Sequence, residues 1–376
     1  RSTCGSLYPF QAGLTSICIG GVRLPLCPGP GLLASVGHSM FAPAPFLRAA
    51  LAVSVGAWAI TACTPKVEGL AGMSSRPNVL IVLLDGARAD HLGCFGYPLE
   101  TTPHMDTLAR DGLRFSDVVT PSPWSRPAFA SLLTGRYPSS IGMGGEAGQL
   151  ADGDLGLASL LRSKGYATWA VLSHPFLNPT SGVGEGFDQF RLVVDRTVWP
   201  KGLSASLVTD AVLEQLDEAS SRPFFMVAHY ADPLHDWAPI QGFEFGDPQY
   251  AGPLEGGLGM SDLQRGRRNW TEADLAELCS HYDSELAYVD AQVGRLLAGL
   301  TDSGLRTNTL IVLTSTHGMQ LFDHGGLGDS QSLHDELIHV PLLLVGPGVK
   351  PGLNEVGASL IDLAPTLCEY LDLAVP

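Results

Sequence analysis

A run of six apolar residues, 79–84, is the feature that most limits how this chain can fold. The run reads Val-Leu-Ile-Val-Leu-Leu, and a carboxylate, Asp85, follows it directly. Such a run predicts a strand that is buried on both faces, as in a parallel sheet covered by helices. Because open α/β sheets place their active sites at the carboxyl ends of strands, we expect Asp85 to lie in a functional site.

Further apolar runs recur along the chain, and helical patterns stand between them. Additional strands are predicted at 113–119, 164–172 (after a turn), 223–229, 309–314 and 340–345. Helices are predicted at 102–112, 157–163, 206–220 and 275–300. Residues 242–268 are rich in Gly and Pro and lack periodicity, which indicates a long surface loop near the site. Strands that alternate with helices predict an α/β fold with a mostly parallel, doubly wound sheet.

Ser125 stands at the end of a Pro-rich loop, just before a helical pattern that begins near Pro127. Proline fits the first helical turn because its missing N–H is not needed there. Ser125 is therefore predicted to lie at a helix N-terminus, where free N–H groups and the helix dipole favour an anion. A hydroxyl beside an anion suits a nucleophile that attacks sulfate or phosphate esters, although an ordinary capping serine explains the same stretch.

The formal charge of the 376-residue chain is −16, from 38 Asp and Glu against 22 Lys and Arg. A nucleic-acid partner is not expected, because a phosphate backbone is bound by a basic surface. An anionic small molecule remains compatible with this charge, since a metal ion or a few Arg and His side chains can reverse the field inside a pocket.

The N-terminal residues differ in composition from the rest of the chain. Residues 1–39 begin with Arg rather than Met and are expected to lie upstream of the native start. Residues 40–62 predict a signal peptide, and their end resembles the lipobox of bacterial lipoproteins, which implies cleavage before Cys63 and lipidation of its thiol. Residues 63–76 would then tether a domain, 77–376, to a membrane of the cell envelope. The alternative is a plain signal peptide with a chance Cys.

Four stretches of the chain resemble the sulfatase family of the alkaline phosphatase superfamily. They are residues 78–97 (NVLIVLLDGARADHLGCFGY), 132–138 (LLTGRYP), 282–297 (YDSELAYVDAQVGRLL) and 309–341. The resemblance implies a large α/β/α sandwich with a smaller C-terminal subdomain. Because the sequence stops soon after the DLAPT run at 362–366, we expect most of that subdomain to be missing.

The family signature places a Cys or Ser nucleophile before a Pro, a Ser and an Arg. Counting back from the Leu-Thr-Gly at 133–135 puts Ser125 in the nucleophile position and Pro127 in the proline position. Ala128 and Phe129 replace the Ser and Arg, which the enzyme that makes formylglycine reads. Formylglycine is therefore not expected at Ser125, and the resemblance implies direct attack by its hydroxyl, as in related phosphodiesterases.

The metal site that the resemblance implies is incomplete in this sequence. Asp85 matches the first metal-binding aspartate, but Gly86 stands where many sulfatases have a second Asp. The family's Asp-His-Gly appears as Thr316 and His317 before a Gly, so another carboxylate is lost. We expect Asp85, Ser125, Thr316 and His317 to hold one divalent metal (Ca, Mn or Mg) weakly, with calcium bound poorly. As alternatives, Asp85 caps a helix and His317 is a core histidine.

Other polar residues are expected to converge on the same edge of the sheet. The resemblance assigns His235 and His324 to catalysis, as hydrogen-bond donors or as the acid that protonates the leaving group. It assigns His229 to substrate binding, and Arg126 could bind a substrate oxygen bidentately. His174 lies near these residues without the Lys partner of the family pattern. Each of these side chains could instead belong only to the surface or the core.

Two classes of function remain open from the sequence. The favoured one is a sulfatase-family hydrolase of sulfate or phosphate esters, with a small-molecule, glycan or lipid ester as substrate. Unmodified Ser125 favours phosphate over sulfate, because a formylglycine hydrate expels sulfate by collapsing to the aldehyde and serine cannot. The alternative is a catalytically impaired or inactive lipoprotein of the same fold, such as a binding protein or a gene fragment.

Overall fold

The computed structural model describes residues 16–19, 22–25, 76–144, 148–150, 156–194, 203–218, 222–234, 236–257, 259 and 270–375. The predicted signal peptide (40–62) and Cys63 lie outside the described residues, as do most of 1–39 and of the tether. Strands β1 (Ser16–Ile19) and β2 (Val22–Pro25) form an antiparallel pair in a separate unit, Ser6–Pro65.

The rest of the described chain alternates strands with helices, as the sequence predicts. Its strands are β3 (Asn78–Leu84), β4 (Leu113–Phe115), β5 (Val118–Val119), β6 (Ala167–Leu172), β7 (Gln189–Leu192), β8 (Phe224–Tyr230), β9 (Thr309–Ser315), β10 (Gln320–Leu321), β11 (Leu327–Gly328), β12 (Leu342–Val345), β13 (Gly352–Asn354) and β14 (Ala358–Ser359). Its α-helices are α1 (Pro103–Asp111), α2 (Ser125–Thr134), α3 (Leu157–Ser163), α4 (Ala205–Glu218), α5 (Glu272–Asp302), α6 (Asp335–Ile338) and α7 (Leu363–Tyr370).

Eight of these strands form one sheet in the order β13-β4-β12-β9-β3-β8-β6-β7. Strand β3 is parallel to both of its neighbours, β8 and β9, and β6 is parallel to β8 and β7. Strand β12 is antiparallel to β9 and β4, whereas β13 is parallel to β4. The predicted sheet is therefore confirmed as mostly parallel, with β12 as the reversed strand.

Helices cover both faces of the sheet, and the side chains of β3 alternate between two cores. Leu80 and Val82 pack in a core that also contains residues of α1, α4 and α5. Val79 and Ile81 pack in a second core with residues of α2, α3 and α7. This double cover explains why the strand is apolar on both faces. The predicted α/β/α sandwich is confirmed.

Two predicted strands differ from those observed. The strand predicted at 113–119 is divided into β4 in the main sheet and β5, which pairs with β14. Ser116 and Asp117 separate the two, and the carbonyl of Asp117 accepts a hydrogen bond from Ala358 N instead of continuing the main sheet. Strand β12 begins after Pro341, because proline has no N–H to donate. Within the described chain, no helix is long and apolar enough to span a membrane.

Candidate active site

Asp85 lies at the carboxyl end of β3 and is completely buried. Its backbone N–H donates to the carbonyl of Tyr230 on β8 (2.9 Å), so the strand register fixes its position. Its Oδ2 accepts a hydrogen bond from Nε2 of His229 (3.1 Å), which is the residue paired with Leu83. The carboxylate therefore sits at the edge of the sheet where the sequence predicts the site.

Ser125 is the first residue of α2 and follows Trp124, which has an extended backbone. Its hydroxyl donates to Asp85 Oδ1 at 2.9 Å and lies 3.3 Å from Nε2 of His317. The prediction that Ser125 stands at a helix N-terminus is confirmed. The free N–H groups of the first helical turn therefore lie beside the hydroxyl, where they favour an anion.

Thr316 and His317 follow β9 and approach Asp85 from the other side. The N–H of Thr316 donates to the Leu84 carbonyl (2.9 Å), and its hydroxyl donates to Asp85 Oδ1. Nδ1 of His317 lies 2.6 Å from the carbonyl of Gly318, which can only accept, so Nδ1 carries a proton. Nε2 of His317 lies 3.2 Å from Asp85 Oδ1.

Burial and ion pairing shift the pKa values of Asp85 and His317 in opposite directions. Burial alone would raise the pKa of Asp85, but the hydrogen bonds and charges of His229 and His317 hold it well below its usual value. Burial would lower the pKa of His317, but the hydrogen bond and charge of Asp85, with a smaller effect of Asp329, raise it. Asp85 is therefore a carboxylate in the folded protein at neutral pH.

The turn after Asp85 explains why a second aspartate is absent. Gly86 has φ of +79°, which strains any residue with a side chain, and a Cβ there would lie 3.2 Å from Leu234 Cα and 3.3 Å from the Pro233 carbonyl. The hydroxyl of Tyr282, on α5, donates to the Gly86 carbonyl and accepts from Arg88 N, both at 2.9 Å. Helix α5 thus holds this turn in a shape that requires glycine.

Of the residues predicted for catalysis or substrate binding, one is buried against Asp85, one is next to Ser125, one contacts other residues, and one is not described. His229 is fully buried behind Asp85, and its Nδ1 has no hydrogen-bond partner in the described structure. His324 is about half exposed, and its described contacts are with Glu336 (2.8 Å) and the stacked ring of His334 rather than with Ser125. Arg126 is half-buried on α2, next to Ser125. His235 lies outside the described residues. Their roles stay predictions.

Three residues near the site were not assigned a role from the sequence. His174 packs edge-on against His229, with ring centroids 6.4 Å apart. Arg88 is buried and forms ion pairs with Asp90 (2.8 Å) and Asp323 (2.7 Å). The carboxylate of Asp329 approaches Nε2 of His317 to 3.6 Å. Asp323, one partner of Arg88, is remote in the chain, and Asp329 lies in an aperiodic loop, so no local sequence signal places these two residues at the site.

The three innermost donors are spaced as ligands of one cation would be. Ser125 Oγ, Asp85 Oδ1 and His317 Nε2 are separated by 2.9, 3.2 and 3.3 Å. A cation about 2.0–2.2 Å from each donor holds neighbouring ligands roughly 3 to 3.5 Å apart, so these donors fit a divalent metal. Among the described residues, no group of three or more His, Cys, Asp or Glu side chains is arranged to hold a metal ion. The set is therefore partial, and the identity of the metal stays a prediction.

An α/β/α sandwich with a serine, a carboxylate and an imidazole at the carboxyl edge of its sheet fits an ester hydrolase of the alkaline phosphatase-like class. The family model for sulfatases matches residues 77–373. The chain belongs to the sulfatase family, and the predicted assignment to a hydrolase of sulfate or phosphate esters is confirmed.

Relatives and solved structures agree with this assignment. The chain is 25% identical over 346 residues to the uncharacterized sulfatase YidJ of Escherichia coli and 26% identical over 359 residues to human arylsulfatase A. Each alignment covers 80% of this chain, and they cover 69% and 65% of the two relatives. The chain thus spans about two thirds of their length, and the prediction of a missing C-terminal subdomain stays a prediction.

Two solved structures share the fold. A protein in complex with its substrate D-glucosamine-2-N,6-O-disulfate aligns with a TM-score of 0.65 and 21% identity, covering 80% of this chain and 78% of that one. The phosphonate monoester hydrolase of Agrobacterium radiobacter aligns with a TM-score of 0.63 and 23% identity, covering 80% and 74%. These identities support the fold alone.

Proposed function

We propose that this sulfatase-family protein hydrolyses phosphate esters by direct attack of the unmodified Ser125 hydroxyl. The observation that carries the proposal is the position of Ser125 Oγ, 2.9 Å from Asp85 Oδ1 and 3.3 Å from His317 Nε2 at a helix N-terminus. A nucleophilic hydroxyl needs a neighbouring group that accepts or polarises its proton, and both neighbours meet that need.

The packing of α2 supports an unmodified serine. Ala128 and Phe129 occupy the positions where the family has Ser and Arg, and both are completely buried. The Phe129 ring packs edge-on against His229, with centroids 6.4 Å apart. These side chains are buried in the protein interior and lack the polar groups of the family signature. We therefore expect that Ser125 is not converted to formylglycine.

The chain's own residues supply most of the groups that the reaction needs. The first turn of α2 presents free N–H groups to the non-bridging oxygens of the ester, and Arg126 lies next to the nucleophile. Asp85 Oδ1 accepts a hydrogen bond from the Ser125 hydroxyl and orients it for attack, and His229 holds the other carboxylate oxygen in place. A divalent metal held by Asp85, His317 and Ser125 would lower the pKa of the hydroxyl and neutralise charge on the phosphoryl group.

The preference for phosphate follows from the second half of the reaction. Attack of Ser125 on a phosphate ester forms a phosphoserine and releases the alcohol. Water then attacks the phosphorus in line and breaks the serine O–P bond, which releases phosphate from a monoester substrate or a phosphate monoester from a diester. A sulfated serine lacks the aldehyde exit of formylglycine, so we expect it to be hydrolysed slowly. The alcohol part of the substrate is a small-molecule, glycan or lipid group.

Peptide mass spectrometry across residue 125, combined with paired assays on an aryl phosphodiester, an aryl phosphate and an aryl sulfate, tests the proposal. We expect serine at 125, faster turnover of a phosphate substrate, and loss of turnover in Ser125→Ala. Formylglycine at 125, or faster turnover of the sulfate, would contradict it. The non-catalytic alternative is supported no better by the comparisons and requires no turnover of any of these esters.

We also propose that the mature protein is lipid-anchored through Cys63 on a membrane of the cell envelope. The support is the lipobox-like end of the 40–62 segment. Metabolic labelling with a fatty acid in a bacterial host should label the parent chain and leave Cys63→Ser unlabelled. Recovery of the unprocessed parent in the soluble cytoplasmic fraction would refute the anchor.

A further inference from the structure

Asp329 brings a second carboxylate to the candidate site from a loop that the sequence leaves without a role. Its Oδ2 lies 3.6 Å from Nε2 of His317, the same nitrogen that faces Asp85 Oδ1 and Ser125 Oγ. Its side chain is 26% exposed, whereas Asp85 is fully buried. Two carboxylates, Asp85 and Asp329, thus lie within 4 Å of one imidazole nitrogen.

The backbone holds this loop against the nucleophile. The N–H of Ser330 donates to the carbonyl of Pro123 (3.0 Å), two residues before Ser125. Ser330 has φ of +64°, a conformation that costs a non-glycine residue free energy and persists only where surrounding contacts enforce it. The residue next to Asp329 is therefore fixed to the loop that carries the nucleophile.

The inner donors alone supply too little negative charge for a divalent cation. Asp85 is the one anionic ligand among them. The Thr316 hydroxyl donates a hydrogen bond to Asp85 Oδ1 and adds no negative charge. A carboxylate at position 86 would meet backbone strain at φ of +79° and crowding by Leu234 and Pro233. Hard divalent cations prefer several anionic oxygen ligands, and each lost carboxylate lowers affinity.

We infer that Asp329 is the second carboxylate ligand of the divalent cation in this site and replaces the one that Thr316 no longer supplies. The inference rests on the proposed hydrolase site and extends its ligand set to Asp85, His317, Ser125 and Asp329. The 3.6 Å between Asp329 Oδ2 and His317 Nε2 exceeds the widest spacing among the inner donors, 3.3 Å, by only 0.3 Å.

Metal binding by the full chain, measured without substrate, tests this inference. Apo protein is titrated with Mn²⁺, and the bound metal is counted by elemental analysis after dialysis. We expect the parent chain to bind one equivalent and Asp329→Asn to bind at least about tenfold more weakly. The matched control is Asp335→Asn, an exposed acid six residues further along, which should bind Mn²⁺ as the parent does. Equal binding by the parent and Asp329→Asn, or no binding by the parent, would overturn the inference.

A rescue variant separates a ligand from a mere ion-pair partner of His317. Thr316→Asp restores a carboxylate beside Asp85, so the double variant Thr316→Asp/Asp329→Asn should regain most of the lost Mn²⁺ affinity. This gain should exceed the gain that Thr316→Asp brings to the parent chain, because in the parent Asp329 already supplies a carboxylate. Equal gains in the two backgrounds would mark Asp329 as an ion-pair partner of His317 only and would count against the inference. Circular dichroism confirms that each variant is folded before its affinity is compared.

The outcome is distinguishable from failure of the proposed function. If Asp329→Asn loses metal but the parent hydrolyses no phosphate ester, the ligand assignment stands and the proposed activity falls. If phosphate turnover is present while metal affinity is unchanged in Asp329→Asn, the activity stands and the ligand assignment falls.

Discussion

At the scale of single residues, the two positions where this chain lacks a family carboxylate differ in how well an aspartate side chain would fit. Thr316 has no positive φ, so its backbone accepts any side chain, and its hydroxyl donates to Asp85 Oδ1. Gly86 has φ of +79° and would press a Cβ against Met319, Leu234 and Pro233. The two losses therefore have different physical causes.

We predict that Thr316→Asp raises Mn²⁺ affinity, because it adds an anionic oxygen beside Asp85 and His317. Gly86→Asp should instead lower the free energy of unfolding by about 1–3 kcal/mol through backbone strain and crowding, without a gain in affinity. Isothermal titration and urea unfolding of both variants check this pair of outcomes. A stable Gly86→Asp variant with tighter metal binding would show that the turn is not restrictive.

At the scale of elements, α5 positions two separate parts of the molecule around the site. Its Tyr282 holds the turn between Gly86 and Arg88, and its Asp290 accepts hydrogen bonds from the N–H groups of His104 (3.0 Å) and Met105 (2.8 Å). The N–H groups of His104 and Met105 lie in the first turn of α1, where they have no acceptor within the helix. The Asp290 carboxylate accepts from both and thereby acts as a helix cap. One helix thereby links the catalytic turn to α1.

Tyr282→Phe should destabilise the protein by about 1–3 kcal/mol, because the Gly86 carbonyl and the Arg88 N–H lose their partner in a buried place. Metal affinity should fall with it, since the turn follows Asp85 directly. Thermal and urea unfolding measure the effect. Tyr137→Phe, whose ring is 59% exposed, is the matched control and should change stability by less than about 0.5 kcal/mol. Equal effects of the two variants would contradict the role of the Tyr282 hydroxyl.

Asp290 gives the stability of the protein a specific pH dependence. Burial raises the pKa of Asp290 to about 6, although the two backbone hydrogen bonds oppose the shift. Because the folded value lies above the unfolded value near 3.9, folding favours the protonated form, and its contribution is lost as pH rises from about 4 to about 6. The free energy of unfolding should fall by up to about 3 kcal/mol over that window.

Asp290→Asn should flatten this part of the pH profile, because an amide does not ionise. Urea unfolding at pH 4, 5, 6 and 7 measures the slope. Asp302→Asn, at the exposed C-terminal end of the same helix, should keep the slope of the parent chain. An unchanged slope in Asp290→Asn would assign the dependence to other groups.

At the scale of the whole molecule, a bound cation would connect the ends of three elements, β3, β9 and α2. Asp85 follows β3, His317 follows β9, and Ser125 begins α2. A cation that binds only the folded chain raises its stability, by about 2.7 kcal/mol at a concentration 100 times Kd. We therefore expect Mn²⁺ to raise Tm in a concentration-dependent way and EDTA to reverse the rise. In Asp85→Ala, neither Mn²⁺ nor EDTA should change Tm. A response like that of the parent chain would show that Asp85 is not a ligand of the cation.

The sequence predicts the framework of the molecule well, for a physical reason. A strand covered on both faces needs apolar residues throughout, so β3 and β9 are visible as uninterrupted runs. Polar residues directly after such strands, Asp85 and His317, must then meet at one edge of a parallel sheet. The contact of Asp329 with His317 is not predictable in the same way, because a loop of Gly and Ser residues carries no periodicity. The crowding around Gly86 is likewise not predictable, because Leu234 and Pro233, which cause it, are remote in sequence.

The reversed direction of β12 has a consequence for how this protein can change over evolution. Strand β9 ends at the catalytic edge of the sheet, and the antiparallel β12 begins there, with Leu342 paired to Thr314. The segment between them, which carries Asp329, is therefore anchored at both ends on the same side of the molecule. Lengthening a loop between fixed ends costs little free energy. Insertions in this segment can thus remodel the substrate pocket while the order and pairing of the strands stay unchanged.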